Sequence, residues 1–474
     1  MKLVRRGSWS TLEFVPDREA IYSLLDPKFS YRMEGAQYSE AYKEKRWDGR
    51  IHLIRRGPRG TLKWPSGLDL EVNSALDRDD KPAHVVDGRP SGTPTFRAQW
   101  TGHPPREYQQ QAVDEAYLQG HGIIRLPIRA GKTLVAAALI RDFGTRALFV
   151  VPSDLLLRQS AEAFRDYLGG VKITTVGAGE WDASGDIVVA TIQTLAARAD
   201  TKQFQFEIAC GIFPLMCVDE LHHLGNSGDA WRDTMLGIRA RWKIGFSATV
   251  DLNQRKRCES SAIWLRGMCG PIVASRTMDD LMTQGFLVRP TVKWIEHGAP
   301  PDETEGPWQS TYKRCLVDCE ARNKAIVEAA SQEANQGAGV LVDTSRVGHA
   351  RALGIGIARR IGNPAVSVLT GSTSRAKRSE VLTLFRTGRV RVLCGTILGE
   401  GIDLPELDVV VNAEGSKDRT PVIQRLRNLT PDPKRPDKRA TIYEMVDRHS
   451  KLLAGWTKAR ARIYAAEKFH QEFP

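Results

Sequence analysis

Apolar residues recur along this chain in short runs separated by longer stretches with helical periodicity. One series of runs occupies 123–126, 147–151, 187–190, 215–218 and 243–246, and a second occupies 339–342, 366–369, 390–394, 409–412 and 441–446. Short uninterrupted runs are typical of strands buried on both faces of a parallel sheet that helices cover. The pattern therefore predicts an α/β fold with two parallel-sheet domains in tandem.

The remaining parts of the chain lack this alternation. Residues 1–75 are predicted to form a small α/β domain, and 76–104 a linker, because that stretch is rich in Asp, Pro, Gly and Ser. The two sheet domains then extend over 105–280 and 281–474. Three domains of ordinary size fit a length of 474 residues.

Two motifs at strand ends indicate nucleotide chemistry. Gly131-Lys132-Thr133 follows the first run; in such a loop backbone N–H groups bind phosphates, the lysine reaches their oxygens and the threonine hydroxyl helps to hold Mg²⁺. Asp219-Glu220 follows the run at 215–218, where Asp219 would position Mg²⁺ and Glu220 would orient or deprotonate the attacking water. Either motif alone is equally well explained as a turn or a helix cap, but the pair predicts ATP hydrolysis.

The charge of the chain indicates a polyanionic partner. The net charge is +12, and residues 43–63 contain eight Lys or Arg against two acidic residues. Tyr42, Trp47 and Trp64 are interleaved with this basic stretch, a mixture that suits phosphate contacts with base stacking. Nucleic acid is the expected partner. A half-buried hairpin with a solvated basic face is the alternative.

Other features narrow the class of protein. The seven cysteines include no Cys-x-x-Cys pair, which argues against a disulfide framework and a zinc ribbon, so no metal beyond Mg²⁺ is expected. No apolar stretch approaches the ~20 residues that cross a bilayer, and no apolar run follows the basic start of the chain. A cytoplasmic, nucleoid-associated protein with no membrane partner is predicted.

An ordered set of motifs resembles that of the superfamily 2 helicases. The motifs are Arg106-Glu107-Tyr108-Gln109, Leu126 to Thr133, Val151-Pro152-Ser153, Ala190 to Leu195, Asp219 to His222, Ser247-Ala248-Thr249, Thr396 with Glu400 to Asp403, and Gln424-Arg425. The form Leu-Pro-x-x-Ala-Gly-Lys-Thr is that of the XPB-like branch. Arg46 to Leu53 and Ala461 to Phe469 are similar to the N-terminal domain and C-terminal helix of the phage UvsW-type recombination helicases.

The resemblance implies two RecA-like domains, with ATP and Mg²⁺ bound between them, and assigns site residues to them. The expected catalytic residues are Lys132, Asp219, Glu220, Gln424, Arg425 and Arg427. The expected nucleotide-binding residues are Arg106, Gln109, Pro127, Ile128, Arg129, Ala130, Gly131, Lys132, Thr133, Gly401 and Asp403, with Thr133 and Asp219 as Mg²⁺ ligands. The expected nucleic-acid contacts are Arg46, Trp47, Arg50, Ser153, Arg158, Thr191, Thr194, Ser345 and Thr396.

The function that the resemblance implies is an ATP-dependent DNA helicase or translocase that remodels branched DNA in recombination or repair. Its expected substrates are forks, four-way junctions and R-loops, with the RNA of R-loops and other recombination or replication proteins as further partners. Two alternatives stay open. One is translocation on duplex DNA without strand separation, and the other is a nucleic-acid-binding protein with a weakened ATPase.

Two positions depart from the family pattern. The last motif normally reads Gln-Arg-x-Gly-Arg, whereas Gln424 to Asn428 reads Gln-Arg-Leu-Arg-Asn, with asparagine where the second arginine contacts the γ-phosphate. We expect Arg427 or Arg425 to supply that charge. Arg129 is a large cation where the family has a small residue, and the sequence supports phosphate contact and outward exposure equally.

Overall fold

The computed structural model describes residues 1–474 apart from 34, 90, 211, 224–228, 249, 251–258, 299–305 and 397–403, and apart from the side chains of 229, 259–261, 375, 420 and 424. The chain divides into two compact units. The first unit is Met1–Pro127 with Gly131–Arg276, and the second is Ile128–Ala130 with Thr277–Pro474.

The first unit contains both short strands and long helices. Its strands are β1 (Lys2–Arg6), β2 (Trp9–Glu13), β3 (Ser30–Arg32), β4 (Arg50–His52), β5 (Arg55–Arg56), β6 (Leu62–Pro65), β7 (His84–Asp87), β8 (Gln99–Trp100), β9 (His121–Arg125), β10 (Ala147–Val151), β11 (Leu168–Gly169), β12 (Ile173–Gly177), β13 (Glu180–Trp181), β14 (Ile187–Thr191), β15 (Leu215–Val218), β16 (Trp242–Ser247) and β17 (Ile272–Ser275). Its helices are α1 (Arg18–Leu25), α2 (Glu40–Lys43), α3 (Asp69–Arg78), α4 (Glu107–Gln119), α5 (Lys132–Phe143), α6 (Asp154–Tyr167), α7 (Ile192–Ala197), α8 (Lys202–Phe204), α9 (Asp229–Gly237) and α10 (Glu259–Cys269).

The large sheet of the first unit has the order β13-β12-β14-β10-β15-β16-β9-β17. Its neighbours pair in parallel, except that β13 runs antiparallel to β12. Every residue of β10, β14 and β15 is buried, as expected for strands that helices cover on both faces. The parallel sheet predicted from the apolar runs is therefore confirmed.

The N-terminal part forms a smaller mixed sheet, ordered β5-β6-β2-β1-β7. Strand β7 lies inside the stretch 76–104 predicted as a linker, and it pairs in parallel with β1. The composition missed β7 because most of its side chains are exposed, so it lacks the apolar run of a buried strand. The boundaries 1–75, 105–280 and 281–474 stay predictions.

Other segments of the N-terminal part, namely β3, α3 and the turn before α3, pack closely on α10 within the same unit. The Trp264 indole donates to the Tyr31 hydroxyl at 2.9 Å, and Arg266 pairs with Glu71 at 3.3 Å. A Cβ on Gly67 would lie 2.2 Å from the Arg266 carbonyl oxygen, so only glycine allows the backbones to approach this closely. The N-terminal part is thereby packed on a helix of the unit that carries the ATP motifs.

The second unit is a second helix-covered sheet. Its strands are β18 (Pro290–Ile295), β19 (Gly339–Asp343), β20 (Val366–Leu369), β21 (Val392–Gly395), β22 (Leu407–Asn412), β23 (Ala440–Met445) and β24 (His470–Glu472). Its helices are α11 (Met278–Thr283), α12 (Trp308–Tyr312), α13 (Glu320–Asn335), α14 (Val347–Ile361), α15 (Arg375–Arg386), α16 (Arg419–Gln424) and α17 (Lys451–Ala466).

The strands of the second unit pair in parallel in the order β20-β21-β19-β22-β23-β18-β24. The fold class predicted from the sequence, two parallel-sheet domains with a small N-terminal α/β part, is confirmed. Within the described parts of both units, we find no helix with the length and apolar character to cross a membrane.

Candidate functional site

The nucleotide motifs of the first unit lie at the carboxyl ends of neighbouring parallel strands. The Asp219 N–H donates to the Val150 carbonyl at 2.9 Å, and the Leu221 N–H donates to the Phe246 carbonyl at 2.8 Å. The chain leaving β15 is therefore held by β10 on one side and by β16 on the other. Because β9 and β15 run in the same direction, the loops that follow them emerge at one edge of the sheet.

The phosphate loop is shaped by Gly131, which precedes α5 in a left-handed conformation with φ of 76°. A Cβ at this position would lie 2.4 Å from the Gln109 side-chain nitrogen, so the loop and Gln109 are in direct contact. The Gln109 side-chain oxygen accepts a hydrogen bond from the Arg106 N–H at 2.8 Å. Arg106 and Gln109, predicted to bind nucleotide, thus lie beside the loop. Arg129 also has a left-handed backbone, with φ of 64°.

Lysine and carboxylate meet at the centre of this edge. Lys132 Nζ lies 2.9 Å from Glu220 Oε1, and the Glu220 N–H donates to Asp219 Oδ1 at 2.9 Å. Burial by itself would raise the pKa of Glu220, but the nearby charges, Lys132 foremost, outweigh it and hold the pKa below its ordinary value. Glu220 is therefore ionised at neutral pH.

A histidine continues the polar contacts from β15 to β16. His222 Nδ1 lies 3.3 Å from Glu220 Oε2 and 3.2 Å from the Ser247 hydroxyl, and the rings of His222 and His223 are 4.4 Å apart. The carboxylate loop is thereby joined to the end of β16.

The oxygen groups at this edge suit Mg²⁺. The hydroxyl of Thr133 stands in the first turn of α5 and the carboxylate of Asp219 at the end of β15; Mg²⁺ prefers oxygen ligands and is usually held by one or two carboxylates together with substrate phosphates. Over the described ranges no group of three or more His, Cys, Asp and Glu is arranged to hold a metal, and the described cysteines are free thiols.

Of the nucleic-acid candidates of the first unit, Ser153 and Thr191 cap the helices that follow β10 and β14, and Arg158 and Thr194 lie within those helices. Ser153 accepts from the Leu156 N–H at 3.4 Å, and Thr191 accepts from the Thr194 N–H at 3.4 Å. The Thr191 hydroxyl is buried and donates to the Thr194 hydroxyl, whereas Arg158 is exposed. Gln193 Nε2 donates to the Pro152 carbonyl at 2.6 Å, so the two strand ends are joined.

In the basic N-terminal region the candidates divide into exposed and structural residues. Arg46 is exposed and pairs with Glu44 at 2.6 Å. The Trp47 indole donates to the Arg50 carbonyl at 2.7 Å, and the Arg50 guanidinium donates to the Ser30 hydroxyl and carbonyl. The interpretation of Trp64 as a base-stacking residue is wrong, because its ring is buried and its N–H donates to Asp69.

Candidates of the second unit also follow parallel strands. Ser345 is exposed two residues after β19, and its N–H donates to Glu414 Oε2 at 2.7 Å. Thr396, after β21, is half-buried and its N–H donates to the Leu369 carbonyl at 3.2 Å. Gly401 and Asp403 lie outside the described residues.

The last motif is held within the second unit by charge and by backbone contacts. Arg425 Nε lies 2.7 Å from Asp343 Oδ2. Burial raises the pKa of Asp343, and the charges of Arg425 and Arg427 partly oppose that shift. Asn428 is fully buried, and its Nδ2 donates at 2.9 Å to the carbonyls of Asp408 and Thr441. Asn428 therefore serves the fold. Gln424 is the last residue of α16, and its side chain is not among those that the structure describes.

Two acidic residues in this region were not among the site residues predicted from the sequence. Asp343 ends β19, and Glu414 follows β22 by two residues, and both contact Arg425 or Ser345. The rule that selected Asp219, a carboxylate at the carboxyl end of a buried strand, would also have selected these two.

Comparison with known proteins places both units in helicase families. Residues 102–252 match the family model described as type III restriction enzyme, res subunit, and residues 321–427 match the helicase conserved C-terminal domain. The chain is similar to the ATP-dependent DNA helicase UvsW of Enterobacteria phage T4, with 24% identity over 90% of this chain and 87% of that protein. It is also similar to the DNA 3'-5' translocase XPB2 of Sulfurisphaera tokodaii, with 25% identity over 72% of this chain and 81% of the relative.

A solved structure supports the same fold. The fragment of a putative HsdR subunit of a type I restriction enzyme from Vibrio vulnificus has a TM-score of 0.53 at 17% identity, covering 75% of this chain and 66% of that one. The two matched domains follow one another along the chain, on two parallel sheets whose strand ends carry the nucleotide motifs. This arrangement agrees with the family that the ordered motif set resembles. This chain therefore belongs to the superfamily 2 helicases, which are ATP-dependent enzymes, and within them it is similar to the XPB and UvsW branches.

Proposed function

We propose that this helicase uses ATP to remodel branched DNA, namely forks, four-way junctions and R-loops, in recombination or repair. The observation that carries the proposal is the extent of the similarity to a phage DNA helicase, which covers 90% of the chain. The N-terminal part packs on α10 and belongs to the same compact unit as the sheet with the ATP motifs, which supports their joint use.

The roles proposed at the ATP site rest on the ion pair of Lys132 with Glu220. Phosphate oxygens of ATP would compete with Glu220 for the lysine ammonium, at the loop that ends in Gly131. The charge of Lys132 helps to keep the pKa of Glu220 low. When the lysine ammonium binds a phosphate oxygen instead, that pKa would rise, and Glu220 would become a better base for the attacking water.

Thr133 and Asp219 would hold Mg²⁺ in this scheme. The ion would supply positive charge to the phosphate oxygens. Gln109 would fix the loop through its contact with Gly131, as a preorganised site requires.

Contacts to the DNA backbone are proposed for residues at the strand ends and in the helices that follow them. In the first unit these are Ser153, Arg158, Thr191 and Thr194, and in the second unit Ser345 and Thr396. Such contacts carry little sequence information, which suits an enzyme that moves along DNA. Arg46 would add phosphate binding from the N-terminal region, whereas Trp47 and Arg50 would act by shaping the turn that presents it.

The test is the rate of phosphate release with single-stranded, duplex, forked and four-way DNA and with R-loops. Branched substrates are expected to stimulate hydrolysis most, and strand displacement should follow the same order. Equal stimulation by linear and branched duplexes would contradict a preference for branches. No stimulation by any nucleic acid would contradict the proposal as a whole.

A second candidate is translocation on duplex DNA without strand separation. The observations that favour it are the relative named a DNA 3'-5' translocase and the match to the res subunit model. Displacement of a third strand from a triplex, with no unwinding of a forked duplex, would favour this candidate over remodelling.

A nucleic-acid-binding protein with a weakened ATPase is the third candidate, because the last motif lacks the usual second arginine.

If the ATPase is active, we expect Arg425 or Arg427 to contact the γ-phosphate. Replacement of that arginine, in Arg425→Ala or Arg427→Ala, should then lower kcat for ATP about 10³-fold. Arg386→Ala, an exposed arginine of α15, is the matched control. If both Arg425→Ala and Arg427→Ala hydrolyse ATP like the wild type, neither side chain supplies this charge.

A further inference from the structure

Glu414 occupies a fixed position at the carboxyl end of β22. The side-chain oxygen of Asn412 accepts the N–H groups of Glu414 at 3.2 Å and Gly415 at 3.4 Å. Asn412 is itself buried, and its Nδ2 donates to Glu444 Oε1 at 2.7 Å. The Tyr464 hydroxyl of α17 donates to the same oxygen at 2.7 Å. The backbone of Glu414 is therefore held from behind by buried groups.

The carboxylate of Glu414 lies between two elements with separate expected tasks. Its Oε2 accepts the Ser345 N–H at 2.7 Å, in the loop proposed to contact DNA. Its Oε1 lies 3.9 Å from a terminal nitrogen of Arg425, in the motif expected to serve ATP hydrolysis. Arg425 is held on its other side by Asp343 at 2.7 Å. Glu414 thus contacts both elements at once.

The surroundings make the charge of Glu414 effective. Its side chain is only 15% exposed, as is that of Asp343. The buried Tyr312 also faces this position, and burial first, then the Glu414 charge, raises the pKa of the phenol. Interactions between charges are stronger where water is largely excluded.

We propose that Glu414 is a positioning residue that couples DNA binding at Ser345 to ATP hydrolysis through Arg425. The inference rests on the proposed function. A DNA strand that moves the Ser345 loop changes the hydrogen bond to one oxygen of the carboxylate, and the other oxygen then holds Arg425 differently against Asp343. In this role Glu414 acts on hydrolysis through the arginine.

The test is Glu414→Gln, which keeps the size of the side chain and an acceptor for the Ser345 N–H but removes the charge facing Arg425. We expect the stimulation factor, the ATPase rate with forked DNA divided by the rate without it, to fall about fivefold or more. The Kd for the same DNA without nucleotide and the Tm are expected to stay at the wild-type values, which separates positioning from a structural defect.

A double-mutant cycle with Arg425→Lys supplies the second readout. If Glu414 acts through Arg425, the two substitutions together reduce the stimulation factor no further than the more severe one alone. Glu380→Gln is the matched control, because Glu380 is an exposed residue of α15 that pairs with Lys377 at 3.0 Å. It is expected to behave like the wild type.

Three outcomes would overturn the inference: an unchanged stimulation factor in Glu414→Gln, additive effects with Arg425→Lys, or a loss of stimulation in which the DNA Kd and the Tm change together. All three presuppose a wild-type enzyme that DNA stimulates. Absence of that stimulation contradicts the proposed function itself, so the two failures are distinguishable.

Discussion

Glu220→Gln is expected to lower kcat for ATP hydrolysis about 10³-fold while ATP binding persists. The carboxylate of Glu220 is ionised, buried and 2.9 Å from Lys132, and an amide in its place cannot accept a proton from water. The substitution keeps the volume of the side chain and so leaves the phosphate loop intact. Phosphate release under saturating DNA and ATP, with the affinity for a fluorescent ATP analogue measured alongside, is the appropriate measurement.

Two further variants serve as the comparison and the control for Glu220→Gln. Lys132→Ala should weaken ATP binding as well as turnover, since the lysine is expected to contact the phosphates themselves. Glu180→Gln changes an exposed glutamate at β13 and is expected to have wild-type kcat. The assignment of Glu220 as the base would be lost if Glu220→Gln retained most of the wild-type rate.

The strands that carry the ATP motifs could be predicted from sequence because they are buried on both faces. The predicted run 147–151 coincides with β10, since an uninterrupted apolar run allows one arrangement in a covered sheet. Once these elements are fixed, parallel pairing brings the loops after β9 and β15 to one edge. The proximity of Lys132 to Glu220 then follows.

Elements with exposed or polar residues could not be predicted in the same way. Strand β7 belongs to a sheet edge, and Trp64 lies in a strongly basic stretch but faces the core of the small sheet. Lys243 opens the predicted run 243–246, but the run does not show that the lysine side chain itself is fully buried in β16, where burial lowers its pKa to about 7. In each case the side chain's surroundings depend on which strands pair, and local composition does not contain that information.

The role of position 428 in the altered last motif also could not be predicted from the sequence alone. Alignment with the family pattern places Asn428 where an arginine contacts ATP, but the side chain bonds to the carbonyls of Asp408 and Thr441. A buried amide with two backbone acceptors is a structural element, so this position cannot be assigned by sequence offset. Arg425 and Arg427 therefore remain the residues expected to supply the charge at the γ-phosphate.

The largest expected effect on stability comes from Arg460→Ala in α17. The guanidinium is fully buried, lies 2.7 Å from Glu444 and 3.3 Å from Asp447, and donates to the carbonyls of Gly415 and Met445. Its removal leaves the carboxylate of Glu444 buried without a cation, and breaking such a pair costs about 3–5 kcal/mol. A thermal unfolding midpoint lower by about 10 °C, measured by calorimetry, is the expected result.

The comparison with neighbouring variants identifies the cause as the lost charge. Asp447 keeps its contact with the Arg322 guanidinium at 2.8 Å, so Glu444 is the group left unpaired. Replacing Arg460 and Glu444 together by Met should therefore destabilise less than Arg460→Ala alone, because no buried charge is left over. Arg462→Ala, an exposed arginine on the same helix, should unfold at the wild-type temperature. A wild-type midpoint for Arg460→Ala would mean that this buried network does not anchor α17.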